Sequence, residues 1–300
     1  MRKETGKIIK GIAGFYYVDL QDGTILECKA RGIFRKDGSK PLVGDMVEAE
    51  VLDEEAKTGN VVSILPRRNE LIRPASANVD QALVFFAAAS PDPNFILLDR
   101  FLIMMEQKHL PCTICFNKAD LIDPKEFEPI RKAYEQAGYP VLYTRMKVQD
   151  EEQSGVKALR SYLKGKTTIL AGPSGVGKST TVNRLQAHVM METGEISEKI
   201  GRGKQTTRHA QLIPLEDPGT YIMDTPGFSS LDLFDLEETD LKDYYAEFHP
   251  YMGACRFNGC VHHMEPDCRV KQAVEAGEIS RMRYEQYITN YLELKNRRKY

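Results

Sequence analysis

The chain has no tryptophan, almost no net charge and no uninterrupted apolar run near the roughly 18 residues that span a bilayer, so no membrane segment is expected. A formal charge of −2 over 300 residues argues against a surface coated in positive charge. It leaves room for local basic patches, which matter more than the sum for nucleic-acid contact. No apolar stretch follows Met1-Arg2-Lys3-Glu4-Thr5-Gly6-Lys7, so no secretory signal is expected and the compartment reads as cytoplasmic. The six cysteines are too few for a disulfide scaffold and imply a reducing compartment. Cys28, Cys112 and Cys115 sit in apolar, strand-like surroundings and read as small buried hydrophobes. Cys255, Cys260 and Cys268 crowd into one polar stretch with His262 and His263. Internal repeats and low-complexity tracts are also missing.

What remains is an ordinary globular composition, with length enough for two or three domains. Residues 1–70 alternate in short runs broken by glycine, at Lys7–Ile12, Gly14–Leu20, Thr24–Cys28, Val43–Val51 and Gly59–Leu65. Asp22-Gly23 marks a hairpin between two of them. Five short strands in this length suit a small OB-type barrel, with an SH3-like barrel as the competing reading. Lys7, Lys10, Lys29, Arg31, Arg35, Lys36 and Lys40 make the segment basic, and Phe15, Tyr16 and Tyr17 could stack on bases or serve as core.

From Val79 onward strands alternate with helices. Ala82–Ala89 is a continuous apolar run, as in a strand buried on both faces. Phe95–Lys108, Pro124–Gly138 and Val156–Leu163 read as helices. Pro111–Phe116, Val141–Thr144 and Thr167–Ala171 read as strands, with Ile222-Met223 the last of the series. This succession predicts a doubly wound, mostly parallel α/β sheet over about residues 71–230. Past Gly227 the chain turns acidic and helical (Asp232, Asp235, Glu237, Glu238, Asp240, Asp243), and helices close it from about Val270 to Tyr300.

Three motifs carry chemistry. Gly172-Pro173-Ser174-Gly175-Val176-Gly177-Lys178-Ser179-Thr180 follows a strand and opens a helix, the setting in which a glycine-rich loop cradles phosphates. The helix start adds favourable dipole potential. Lys178 should reach the β- and γ-phosphates, and the Ser179 hydroxyl should bind Mg²⁺.

Asn117-Lys118-Ala119-Asp120 ends another strand, at the carboxyl edge of the sheet where ligands bind. Asp120 can accept hydrogen bonds from guanine N1–H and its exocyclic amine, and adenine offers neither donor. Leaving such groups unpaired costs on the order of 1–3 kcal/mol each. The Lys118 stem can cover the base, and Asn117 can tie this loop to the phosphate loop. A second base-contacting loop belongs near Thr144, but the usual Ser-Ala signature is missing there.

Asp224-Thr225-Pro226-Gly227 reads as a γ-phosphate sensor, with Asp224 acting on Mg²⁺ through water and the Gly227 N–H on the phosphate. The segment Gly201–His209 suits a switch whose threonine, Thr207 in preference to Thr206, binds Mg²⁺ only with the γ-phosphate present. Many GTPases place a water-orienting Gln directly after this sensor; here Phe228 stands in that place, so intrinsic hydrolysis should be slow. Gln205 and His209 are the candidates for that role. The base reader precedes the phosphate loop, an order that implies circular permutation.

Cys255, Cys260, His262 and Cys268 offer three thiolates and an imidazole within 14 residues, a set that closes a tetrahedral structural zinc site with no place for a reactive water. His263 is the neighbouring alternative to His262. The metal would fix a small domain with little core of its own.

The permuted order of the three motifs, between a basic barrel and the cysteine cluster, resembles the RsgA (YjeQ/YloQ) family of small-ribosomal-subunit-dependent GTPases. The resemblance spans essentially the whole chain. It implies three domains, an OB-fold at 1–70, a permuted P-loop GTPase domain at 71–230 and a helical zinc-binding domain at 231–300. It further implies GTP and GDP as ligands, with Mg²⁺. The small subunit and its rRNA are the implied partners, and late maturation of that particle is the implied role. A monomer is expected. One departure is Gln205, where the family often has His. The final helix offers Arg281, Arg283, Lys295, Arg297, Arg298 and Lys299 as phosphate contacts. Two other readings compete: an rRNA-binding module with a merely structural nucleotide site, and a P-loop ATPase or kinase.

Overall fold

Alternation in the first 65 residues closes a barrel in the structure, a computed structural model. It describes residues 2–20, 22–30, 34, 40–72, 74–192, 210–224 and 236–297, with the side chains of 187–192 and 224 outside that description. The strands are β1 (Lys3–Ile12), β2 (Phe15–Leu20), β3 (Ile25–Ala30), β4 (Met46–Asp53) and β5 (Thr58–Ile64). Their circuit runs β1-β2-β3-β5-β4 and back to β1, with β3 and β5 parallel and the other pairs antiparallel. This closed five-strand course settles the barrel as OB-type. Ile8, Val18, Leu26, Cys28, Val47, Ala49 and Val61 fill it. The register of β1 on β2 slips between Ile8 and Lys10, which buries Ile8 and Ile9 in succession. At Gly6 an added Cβ would lie 2.6 Å from the Asp19 carbonyl oxygen, so β1 and β2 require glycine there.

The chain forms two compact units. One comprises Met1–Ala82, Val156–Ala171 and Lys178–Phe228, and the other Leu83–Gly155, Gly172–Gly177 and Ser229–Tyr300. In the first, β6 (Glu70–Ile72) and β7 (Ala75–Ala77) make a hairpin. The same unit holds α3 (Val156–Leu163), β11 (Thr167–Ala171), α4 (Lys178–Glu192), β12 (Gln211–Pro214) and β13 (Tyr221–Asp224). β11 and β13 are parallel; β12 is antiparallel to β13 and meets the barrel by pairing Gln211 with Lys10 of β1. The same seam holds Lys7, whose Nζ donates to Thr167 Oγ1 at 2.7 Å and lies 4.7 Å from the Tyr221 ring centre. The Tyr221 hydroxyl in turn donates to Asp19 at 2.9 Å. Of the residues that make this segment basic, Lys7 is thus engaged where the barrel meets the sheet.

The second unit has β8 (Gln81–Ala87, from Leu83 on), β9 (Cys112–Asn117) and β10 (Val141–Thr144), in the order β10-β9-β8. Its helices are α1 (Phe95–Gln107), α2 (Pro124–Gln136), α5 (Arg269–Glu275) and α6 (Arg281–Asn296). Asn94 caps α1 by accepting from the Leu97 N–H, and Asp123 caps α2 by accepting from the Lys125 N–H. All seven residues of β8 and all six of β9 are buried, as expected of strands covered on both faces.

Two expectations need correction. Among the described residues no α-helix lies between 236 and 268; short 3₁₀ turns stand at Leu241–Tyr244 and Ala246–Phe248. Nor does the C-terminal module lack a core. Leu241, Tyr245, Phe248, Val270, Ala273, Ile279, Tyr287 and Leu294 pack together, with the Tyr245 and Phe248 rings stacked at 5.3 Å. No helix among the described residues is long and apolar enough to cross a membrane.

Candidate nucleotide site and metal centre

The Asn117-Lys118-Ala119-Asp120 motif meets the glycine-rich loop at 172–179 through two hydrogen bonds. β9 ends at Asn117, whose buried Nδ2 donates to the Val176 carbonyl at 2.9 Å. Lys118 then takes a left-handed backbone (φ 58°) and sends its Nζ to the carbonyls of Gly175, at 3.0 Å, and Ser90. That reversal starts a 3₁₀ turn, Ala119–Leu121, which leaves the Asp120 carboxylate exposed. Asn117 is itself oriented from β10. In the parallel register Thr144 stands opposite it, and the Thr144 hydroxyl donates to Asn117 Oδ1 at 3.0 Å. Thr144, near which the second base-contacting loop was expected, is buried and orients Asn117. Ser90 had no sequence signal.

Glycine is dictated in the phosphate loop at two places. A Cβ at Gly172 (φ +140°) would fall on the Phe85 carbonyl, and one at Gly177 (φ +98°) on the Asn117 amide nitrogen. Val176 is buried and anchors the loop, whereas Ser174 and Gly175 are exposed. Pro173 is half-buried. Lys178 begins α4 and is half-buried; Ser179 and Thr180 follow, both exposed. The Ser179 hydroxyl is a hard oxygen donor of the kind Mg²⁺ takes. β13 carries the backbone of Asp224 to its end. Gln205, Thr206, Thr207, His209 and Gly227 lie outside the described residues.

The Cys/His motif folds into one cluster. The ligand atoms of Cys255, Cys260, His262 and Cys268 all lie within 4.8 Å of one another. Tetrahedral zinc with bonds of about 2.3 Å to sulfur and 2.0–2.1 Å to nitrogen requires edges of roughly 3.8 Å for S···S and 3.6 Å for N···S. The Sγ atoms of Cys255 and Cys268 are 3.9 Å apart, and His262 Nδ1 stands 3.7 Å from the first and 3.3 Å from the second. The donor set fits zinc. His263 is excluded from it, its ring instead lying 5.4 Å from that of Tyr291.

Local hydrogen bonds build the loop. The Glu265 carboxylate accepts from the N–H groups of Val261 (2.8 Å) and His263 (2.9 Å), and His262 takes a left-handed backbone at φ 58°. Burial pushes the Cys260 thiol up to about 12 and the His262 imidazole down to about 4. A bound cation would draw the thiol protons off.

α6 corrects a further expectation. Arg283 does not face phosphate: its side chain is 2% exposed and pairs with Asp99 of α1 and, at 2.8 Å, with Glu247. The rings of Tyr134, Tyr139 and Tyr245 surround its guanidinium at 4.7–5.8 Å. Burial pushes the Asp99 carboxyl up to about 6, with Arg283 pulling the other way. A periodic, charged helix gave no sign that one arginine turns inward.

Comparison with known proteins matches residues 64–234 to the RsgA GTPase family and residues 5–60 to the RsgA N-terminal domain. The chain belongs to the RsgA family. A relative from Agathobacter rectalis, the small ribosomal subunit biogenesis GTPase RsgA, is 58% identical over 99% of this chain and 100% of its own. Its counterpart from Alkaliphilus metalliredigens is 49% identical over 98% of this chain and 99% of its own. Among solved structures, YloQ, described as a circularly permuted GTPase, matches with TM-score 0.78 and 36% identity, covering 100% of this chain and 97% of that one. YjeQ from Thermotoga maritima matches with TM-score 0.80 and 35% identity, covering 99% and 100%.

Proposed function

We propose that this chain binds GTP across its three motifs, hydrolyses it slowly alone and faster on the small ribosomal subunit, and couples that hydrolysis to late maturation of the particle and to its own release. The observation that supports this reading most directly is the tie between base reader and phosphate loop, Asn117 to Val176 and Lys118 to Gly175, in a chain of permuted motif order. Asp120 selects guanine, the Lys118 stem covers the base, and the Gly172–Gly177 amides hold the phosphates. Lys178 offsets charge on the β- and γ-phosphates as the bond to the γ-phosphoryl group loosens. Ser179 and Thr207 would hold Mg²⁺, with Asp224 acting on it through water, and the ion when bound neutralises charge between the β- and γ-phosphates. Gly227 reports the γ-phosphate. Phe228 cannot orient water, which leaves Gln205 or His209 for that task and makes intrinsic turnover slow.

Cys255, Cys260, His262 and Cys268 would hold a structural zinc ion in the C-terminal domain. The organisation is an OB domain at 1–70, a GTPase domain at 71–230 and a zinc domain at 231–300, in a monomer working in the cytoplasm. Its partner is the small subunit, met through rRNA, with GTP favouring grip and GDP favouring release. GTP hydrolysis by the full chain, measured with and without purified small subunits and with Lys178→Ala as control, tests the reading. Stimulation that Lys178→Ala abolishes is expected. Hydrolysis indifferent to the particle would defeat the partner assignment.

A further inference from the structure

α6 carries two sets of polar side chains that reach different parts of the same unit. On one side the Tyr284 hydroxyl donates to the His262 carbonyl at 2.8 Å and the Tyr287 hydroxyl to the Val261 carbonyl at 2.5 Å. The backbone of the cysteine-histidine loop is therefore held by this helix. On another side α6 grips α1. Arg283 pairs with Asp99, Arg100 Nε donates to Asn290 Oδ1 at 3.1 Å, and Arg100 also pairs with Glu293. Tyr134 and Tyr245 complete the shell around Asp99, donating at 3.1 and 3.2 Å. Buried ions held this way resist small displacements, because parting them exposes an unpaired charge in a dry interior.

The other end of α1 leads to the nucleotide loops. Its cap, Asn94, follows the Ser90 turn, and the Ser90 carbonyl accepts from Lys118 of the guanine reader. A series of contacts, joined between Ser90 and Asn94 by the chain itself, thus runs from Lys118 through Ser90 to α1, across Asp99 and Arg100 to α6, and through two tyrosine hydroxyls to the metal-binding loop.

We propose that guanine nucleotide binding and zinc binding are thermodynamically coupled through the α1–α6 junction, each ligand tightening the hold on the other. This rests on the nucleotide and zinc sites assigned above. A base seated on Lys118 fixes the Ser90 turn and the start of α1. Zinc fixes the carbonyls of Val261 and His262, and so the tyrosine face of α6. With both faces fixed the junction is ordered once, and the second ligand meets less ordering cost than the first. Coupling of this kind is reciprocal in equilibrium affinity.

The test measures zinc affinity of the full chain by competition with a chromophoric chelator, with and without saturating GDP, and GDP affinity of zinc-loaded and stripped protein. GDP is expected to raise zinc affinity about fivefold or more, and zinc to raise GDP affinity by the same factor. Asp99→Asn should abolish the effect. Asn290→Ala, which touches neither the metal ligands nor the guanine reader, should reduce it and decides the matter if Asp99→Asn does not fold. GDP binding that leaves zinc affinity unchanged overturns the coupling and spares the nucleotide site. Failure of the wild-type chain to bind GDP overturns both, and an effect undiminished in Asn290→Ala overturns the α1–α6 route.

Discussion

Single atoms decide whether the nucleotide loops can form. At Gly177 both backbone and space demand glycine, since φ is +98° and a Cβ would strike the Asn117 amide. Gly177→Ala should therefore displace Asn117 and abolish GDP binding in an equilibrium titration, while far-ultraviolet circular dichroism keeps its native shape. At Asp120 the chemistry is of pairing. Asn there presents a donor in place of an acceptor, which suits the 2-carbonyl of xanthine and leaves guanine's exocyclic amine facing an N–H. Asp120→Asn should exchange preference from GDP to XDP, losing at least about fivefold for GDP if one pair costs 1–3 kcal/mol. Unaltered preference would mean that this carboxylate does not meet the base.

Elements explain what could be read in advance and what could not. A strand buried on both faces announced itself as a continuous apolar run at β8, and the helix read at 156–163 is the one observed. β12 was missed because Gln211-Leu212-Ile213-Pro214 buries only Leu212, too short a pattern to register. The β6–β7 hairpin has three residues a side and went unread for the same reason. The cysteine-histidine cluster was legible from spacing, which left His262 and His263 as alternatives that only the folded loop separates.

Arg283 was illegible, since its partners Asp99 and Glu247 lie 184 and 36 residues away in sequence. Its replacement gives the element-scale prediction. Arg283→Met leaves two buried carboxylates without a counter-charge, which should cost about 3–5 kcal/mol in a urea melt. A loss under about 1 kcal/mol, in the range of exposed pairs, would show that the pair is solvated in solution.

For the molecule as a whole, the segment 224–227, proposed above as the γ-phosphate sensor, directly precedes the C-terminal module in the sequence, and the proposed switch is tested on the full chain. The expected outcome is that the small subunit binds the chain loaded with a non-hydrolysable GTP analogue at least about tenfold more tightly than with GDP, measured by sedimentation at fixed salt. Equal affinities would remove the switch while leaving the hydrolase. Binding through rRNA phosphates, as proposed above, would make the difference salt-sensitive, so both states are compared at one ionic strength.

The seam between β1 and β12 sets an order of events at birth. Lys10 pairs with Gln211, so the first strand made has to await a partner some two hundred codons downstream. At translation speeds of about 5–20 residues per second that interval is roughly 10–40 s. The barrel, whose five strands all lie within residues 3–64, emerges early. Its edge at Lys10 then stays open until the ribosome has delivered β12, exposed in the meantime to any other strand that passes.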